Sequence, residues 1–390
     1  MSEIKVNSIK GVGASVAAVS INNSDGTCSA NLSNRQGKNL VINGAFRISQ
    51  KATSSTGDNY QTVDRFGCSS SGTDEAPTQA QVDVSSSDTP YTLGLTKAFK
   101  ITNGNQTSGA GVTDFMRIRH RIEAQDIRNS GWDYKSSSSY ITISFWVKSS
   151  VAQTFYLNLR AYDGTPQNYA HPFSATTSWT KITHSIAGNS NLDFDNDNDI
   201  GLEIQWAMFY GTDYTDNSRA DNTWGQFVTG TQTKDHTSTW YTTNNATFEL
   251  TGVQIEVGSV ATEFEHKSLD QDYHECLRYL YVINVKNTDA IDRSYAYAYS
   301  GTILRGLFYL PKAMRTYPSY TGTATEANFY ASNNSAYFNL DTIVNYIGSN
   351  FSPFPNTFAF GTTTSSMTGG QAGILLGRED NGKIIFSAEL

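Results

Sequence analysis

The sequence predicts an all-β protein, a jelly-roll β-sandwich plus a C-terminal β domain joined by a short helix, with an extended N-terminal segment in front. Three observations predict it: apolar residues recur at every second position over most of the chain, turn-rich spacers separate these runs, and no helix long enough for a βαβ crossover lies between them. Composition agrees. Charged residues make up 16%, against roughly 25% in an average soluble domain, and Ser, Thr, Asn, Gly and Tyr fill the space between short apolar runs. The 390 residues are enough for two or three domains that each bury a core.

The N-terminal segment, residues 1–38, is a string of small residues with scattered β-branched ones. Within it AVSINNSDGTCSANL reads as a hairpin around Asp25-Gly26, with Val19 and Ile21 facing Cys28, Ala30 and Leu32. Ordering such a segment costs about 1–2 kcal/mol per residue, and its side chains are too small to offset that alone. It is therefore expected to order against sister subunits or a larger assembly, the alternative being a floppy terminus.

Residues 39–267 form the expected jelly roll. YITISFWVK sets Ile141, Ile143, Phe145 and Val147 on one face, and TFYLNLR does the same with Phe155, Leu157 and Leu159. IGLEIQWAMFY points Leu202, Ile204, Trp206 and Met208 inward, while FMRIRHRIEA sets Met116, Ile118 and Ile122 opposite Arg117, Arg119 and Arg121. Through ATFELTGVQIEV the alternation slips by one residue, which predicts a β-bulge at Gly252. Residues 268–282 form a connector helix: Ser268 is the N-cap, Asp270 and Asp272 lie in the first turn, and Leu269, Tyr273, Cys276 or Leu277, and Leu280 share a stripe. Residues 283–390 return to β. There SYAYAYS aligns Tyr295, Tyr297 and Tyr299, TILRGLFYL is apolar on both faces, and GILLGREDNGKIIFSAEL reads as a hairpin turning at Asn381-Gly382.

Charge and cysteine usage narrow the function classes. With 28 basic and 36 acidic side chains the net charge is −8, so there is no basic field to hold a nucleic-acid backbone. Cys28, Cys68 and Cys276 are too few and too scattered for a disulfide framework or a metal knuckle, which fits maturation in a reducing cytosol. No secretory leader is read at the start, and no run approaches the ~18 apolar residues of a membrane helix, so membrane insertion is not expected.

NLVINGAFRISQKAT, VDRF, ISFWVKSS, SWTKITHSIAG, DNDNDIGLEI, TGVQIEVGSVATEFEHKSLDQDYHECLRYLY and LPKAMRTYPSY, in that order, resemble tail fibre and virion proteins of tailed bacteriophages, especially phages of marine cyanobacteria. The resemblance runs from about Asn39 to Leu390. It implies a carbohydrate-binding-module-like jelly roll, a short helix and a C-terminal β domain, assembled as a homotrimer on a virion, made in the host cytoplasm and exposed to host-surface polysaccharide or lipopolysaccharide. Residues 1–38 would contact other virion tail or capsid proteins. The chain lacks the extended repeat shaft of a long fibre.

Sugar recognition favours aromatics, because a pyranose offers a C–H face to a ring while its hydroxyls bond to amides and carboxylates. Candidates outside the clear strand cores are Tyr214, Trp224, Trp240 and Tyr241 in the jelly roll, and Tyr295, Tyr297, Tyr299, Tyr330 and Tyr337 beyond it. Twelve of the 22 tyrosines lie at or after residue 273, which points to the C-terminal part. The row Arg117, Arg119 and Arg121 suits acidic sugars or phosphates, but reads more simply as a solvated or subunit-facing strand face neutralised by local acids. Asp193, Asp195, Asp197 and Asp199 offer hard oxygens suited to calcium. That stretch lacks the turn glycine and distal glutamate of a helix-loop-helix calcium loop, and reads as an acidic, solvated loop. No GxSxG elbow, HExxH or phosphate-cradling loop is present, so neither an enzyme nor a cofactor is expected.

Overall fold

A computed structural model describes residues 6, 8–9, 19–21, 28–30, 37–286, 294–321, 327–331, 336–339, 342–345, 357–363, 367–377 and 382–390. Near the N-terminus β1 (Ser8–Ile9), β2 (Val19–Ile21) and β3 (Cys28–Ala30) pair as a small antiparallel sheet. Val19 stands opposite Ala30 and Ile21 opposite Cys28, the expected hairpin register; the Asp25-Gly26 turn and Leu32 lie outside the described residues.

Twelve strands follow: β4 (Ser54–Ser55), β5 (Phe66–Ser71), β6 (Thr78–Asp83), β7 (Lys97–Thr102), β8 (Phe115–Glu123), β9 (Tyr140–Ser149), β10 (Gln153–Ala161), β11 (Gln167–Ala175), β12 (Thr180–Ala187), β13 (Ile200–Tyr210), β14 (Gly225–Gln226) and β15 (Thr247–Val257). They build two six-stranded antiparallel sheets, ordered β14-β11-β10-β13-β8-β5 and β12-β9-β15-β7-β6-β4. The period-two residues meet between them. Phe155, Leu157, Leu159, Met116, Ile118, Leu202 and Ile204 from the first sheet pack against Ile141, Ile143, Phe145, Val147, Phe248 and Ile255 from the second. Phe145 and Trp206 meet edge to face across the layer at 5.8 Å.

His120 joins this core, with Nδ1 3.1 Å from the Arg65 carbonyl and its ring against Phe66; burial, with the Arg65 charge, pushes its pKa well below the usual range. Gly252 forms the expected bulge. The β15–β9 register shifts between Thr251 and Gln254, and the glycine takes φ +61°.

Three short helices, α1 (Thr89–Thr92), α2 (Ala124–Arg128) and α3 (Thr239–Thr242), lie in the connections of the sandwich, and the chain leaves it through α4 (Leu269–Cys276), capped by Ser268 in a reciprocal capping box with Gln271. The expected stripe is corrected here: Leu269 and Tyr273 face solvent, while Asp272, Cys276 and Leu277 are buried. The reason is an ion pair, since Arg47 reaches Asp272 at 2.6 Å and draws the polar side of the helix onto the sandwich.

Beyond it run β16 (Leu280–Val285), β17 (Ser294–Ala298), β18 (Ile303–Tyr309), β19 (Ser319–Thr321), β20 (Ala327–Ala331), β21 (Ala336–Asn339), β22 (Thr342–Asn345), β23 (Thr357–Thr363), β24 (Ala372–Gly377) and β25 (Gly382–Ser387). A three-stranded sheet β16-β25-β19 and a seven-stranded sheet β21-β20-β24-β17-β18-β23-β22 enclose a second core of Ile283, Val285, Leu304, Phe308, Leu375, Ile384 and Phe386. The expected hairpin between β24 and β25 does not form. Ile384 and Phe386 put β25 at the centre of the smaller sheet, between β16 and β19, so β24 is left to pair in the larger one.

A dense polar seam joins the two parts. Arg278 grips the buried Glu123 carboxylate through two bonds of 2.6 and 2.7 Å, and the Tyr279 hydroxyl donates to the same group. Arg65 is buried between Glu389, which it pairs with, and the Tyr279 ring 3.5 Å away. Arg315 donates to the carbonyls of Asn198 at 2.8 Å and Ala388 at 2.9 Å. Gln50 links Asp64 to the Leu280 carbonyl. Apart from Glu123, Ala388 and Glu389, these residues come from the quoted stretches VDRF, NLVINGAFRISQKAT, DNDNDIGLEI, the 251–281 stretch and LPKAMRTYPSY. Five of the seven stretches thus meet in the chemistry of one joint.

Candidate functional site

Strand β17 alternates small and aromatic residues, and the alternation decides its two faces. Ala296 and Ala298 turn toward Phe308 and Phe386, where only a small side chain leaves room for those rings. Tyr295 and Tyr297 therefore point outward, 64% and 45% exposed, and Tyr299 follows just beyond the strand at 54%. Antiparallel pairing adds Leu307 opposite Tyr295 and Arg305 opposite Tyr297 on the same face. Tyr309 completes the group, edge-on to Tyr295 with ring centroids 6.1 Å apart, and the Arg305 guanidinium lies 3.6 Å over the Tyr299 ring. The result is a strip of flat rings about 7 Å apart along the strand, held by a sheet whose other face is a packed core. Such a strip stacks on apolar C–H faces and offers phenol hydroxyls to polar groups.

The jelly-roll aromatics behave differently, and the expectation that they meet a ligand is corrected. Trp240 and Tyr241 are completely buried: the indole donates to the Thr247 carbonyl at 3.0 Å, and Tyr241 stacks on Phe209 at 4.5 Å with its hydroxyl toward Asp114. Trp224 is buried against Tyr169 and donates to the Ala187 carbonyl at 2.9 Å. Each polar handle finds its partner inside, so these rings seal the ends of the sandwich. Tyr214 is half-buried, edge-on to Phe115 at 5.6 Å. Positions 330 and 337 stand opposite each other in the β20–β21 pair; the side chains of Tyr330 and Tyr337 lie outside the described residues.

The arginine row faces outward from β8, as the periodicity requires, into a ladder across the sheet. One rung reads Ser69, Arg117, Ala207, Tyr156; the next Gly67, Arg119, Gln205, Asn158, Ala170; the third Arg121, Glu203, Arg160, Asn168. The expected solvated face is corrected: Asn158, Gln205, Glu203 and Asn168 are buried and the arginines half-buried. Local neutralisation reaches only part of the row. Glu203 is paired with Arg121 and accepts from Gln205; burial opposes its charge, but the Arg121 and Arg117 charges hold its carboxyl below the usual range. Tyr156, Asn158, Arg160 and Gln205 were not singled out from sequence, although the outward positions of TFYLNLR and IGLEIQW carry them.

The aspartate loop serves the seam. The Asp197 and Asp199 carbonyls accept from Gln125 and Ala124, and Arg315 docks on Asn198 and Asp199. Among the described residues no group of three or more His, Cys, Asp or Glu side chains is arranged to hold a metal ion, and no helix is long and apolar enough to cross a membrane.

No family model matches the chain, and no curated protein does. Similar solved structures include the enzymatically active domain of tailspike protein 4 of bacteriophage CBA120, at 11% identity and TM-score 0.31 over 56% of this chain. The match spans 21% of that tailspike chain. Two others are the family 11 carbohydrate-binding module of a cellulosomal cellulase of Clostridium thermocellum (14% identity, TM-score 0.26, 55% of this chain and 98% of that one) and the CBM22-1 xylan-binding domain from Paenibacillus barcinonensis (10%, 0.26, 55% and 95%). Likeness at this level carries neither ligand nor activity to this chain.

Proposed function

We propose that the protein is a structural virion protein of a tailed phage, a homotrimeric tail fibre or fibre-like protein that contacts host-surface polysaccharide or lipopolysaccharide during adsorption. The observation that carries the contact role is the strip of Tyr295, Tyr297, Tyr299 and Tyr309, which a rigid sheet holds out to solvent. The sequence resemblance supports the virion setting, and the small-residue segment 1–38 supports attachment to other tail or capsid proteins. The role needs no catalytic step and no cofactor.

The test is binding of the full chain to intact host cells and to their purified surface glycans, beside a Tyr295→Ala/Tyr297→Ala/Tyr299→Ala variant. Substitution is better than truncation after Lys267, because removing the C-terminal sheets would strip the buried Glu123 and Arg65 of their partners. Losing three stacking rings should weaken binding by about tenfold or more. Unchanged binding by a folded variant would take the strip out of the reading, and a stable monomer at micromolar concentration, by mass measurement, would remove the trimer. Leu307, exposed beside the tyrosines, favours a second reading in which the strip meets a neighbouring virion protein and binds no sugar. Co-assembly without glycan binding would select it.

A further inference from the structure

We propose that the outward face of the sheet β14-β11-β10-β13-β8-β5 is a second binding surface, taking an acidic polysaccharide through the guanidinium groups of Arg117, Arg119 and Arg160. It lies on the other part of the molecule and does not depend on the tyrosine strip. The three rungs carry four guanidiniums, those of Arg117, Arg119, Arg121 and Arg160, against the single carboxylate of Glu203. That is a local excess of positive charge on a chain whose net charge is −8. Glu203 is already engaged by Arg121 and Gln205, which leaves the other three arginines without a carboxylate bonded to them. Arg117 donates to the Tyr210 hydroxyl at 3.2 Å and Arg119 to the Asn59 side chain, both neutral acceptors. Arg160 has no hydrogen-bond or ion-pair partner among the described residues. The Nε atoms of all three arginines, together with Asn158 Oδ1, are shielded and have no hydrogen-bond partner among the described residues, and the same holds for the Nε atoms of Arg65 and Arg219 elsewhere.

The guanidiniums are also held in place. Arg160 lies 3.5 Å from the Phe227 ring and 4.3 Å from Tyr162, Arg117 lies 4.9 Å from Phe115, and Arg119 lies 5.6 Å from Tyr60. Stacking fixes each planar fork before a ligand arrives, so little side-chain entropy remains to be lost on binding. Strand geometry spaces Arg117 and Arg119 about 7 Å apart along β8, and sets Arg160 two strands away, about 10 Å across the sheet. That spread suits successive carboxylate, sulfate or phosphate groups along a polymer better than a single small anion.

The experiment is affinity electrophoresis of the full chain in gels containing polygalacturonate, dextran sulfate or neutral dextran. Retardation is expected with at least one acidic polymer and not with dextran, and should weaken about tenfold between low and high salt, as screened ionic contacts do. Arg160→Gln and Arg119→Gln should each lose about fivefold or more, Arg160→Lys less, and the triple tyrosine variant nothing. Circular-dichroism melts identify the variants that fold, and the salt titration of the unmodified chain stands even if one does not. No retardation by either acidic polymer, or equal retardation of folded Arg160→Gln and Arg119→Gln, would overturn the proposal. Equally tight, salt-sensitive binding to duplex DNA would overturn the assignment to glycan.

Discussion

Glu123 sits at the end of β8 with its carboxylate wholly buried, and its state is set by what surrounds it. Burial opposes its charge, but hydrogen bonds from Arg278 and Tyr279 outweigh that and hold its pKa below the usual carboxylate range. Arg278→Ala would leave a buried charge without its cation, and is expected to destabilise the chain by about 3–5 kcal/mol in urea unfolding followed by circular dichroism. Asp64 goes the other way. Burial holds its carboxyl up at about 7, despite two hydrogen bonds from Gln50, against about 3.9 for an exposed Asp. Between those values the folded chain keeps a proton that the unfolded chain has released, so this contribution to stability is complete below about pH 4 and lost as pH rises through 7. Asp64→Asn removes that dependence. The stability of the variant relative to the unmodified chain should therefore rise from pH 4 to pH 8, and a flat difference in urea midpoints would refute it.

Strand β15 shows how one residue shapes an element. Phe248 and Leu250 precede the bulge, Val253 and Ile255 follow it, and all four reach the same core because Gly252 absorbs the extra residue at positive φ. A Cβ at that position would lie 2.5 Å from Leu95 Cδ1. Gly252→Ala should cost about 1–3 kcal/mol, from backbone strain together with the clash, and thermal unfolding checks it. The N-cap of α4 is a milder case: Ser268→Ala removes the bond to the Gln271 amide and should cost about 1 kcal/mol. Both devices were legible because each is local, a one-residue slip in alternation and a Ser just ahead of two acidic residues in the first turn. The buried side of α4 was not legible, since an ion pair to Arg47, 225 residues away, decides it.

At the scale of the molecule, the seam makes the two cores mutually dependent. Arg65 is buried with Glu389 as its paired carboxylate, and Arg315 bonds to carbonyls on both sides of the joint. With the seam intact, heat or urea should unfold both parts in one transition. Glu389→Ala should weaken the coupling enough to separate it into two, read by tyrosine fluorescence for the tyrosine-rich C-terminal sheets and by tryptophan fluorescence for the sandwich, where all six tryptophans lie. One unchanged transition would show that the seam is not what couples them.

The sequence by itself determined the all-β class, the inward faces of β8, β9, β10 and β13, the bulge, the helix cap and the shared face of Tyr295 and Tyr297, because each follows from backbone period and local hydrogen bonding. Tertiary structure alone decided which aromatics meet solvent: Trp240 and Tyr241 lie in connections that read as exposed until the two sheets close over them. It also decided that β25 leaves its neighbour for β16, and that Arg160 joins Arg117 and Arg119 while Arg121 takes the one carboxylate. Those outcomes depend on which residues distant in sequence share a rung or a seam, and side-chain periodicity along one strand carries no information about its partner.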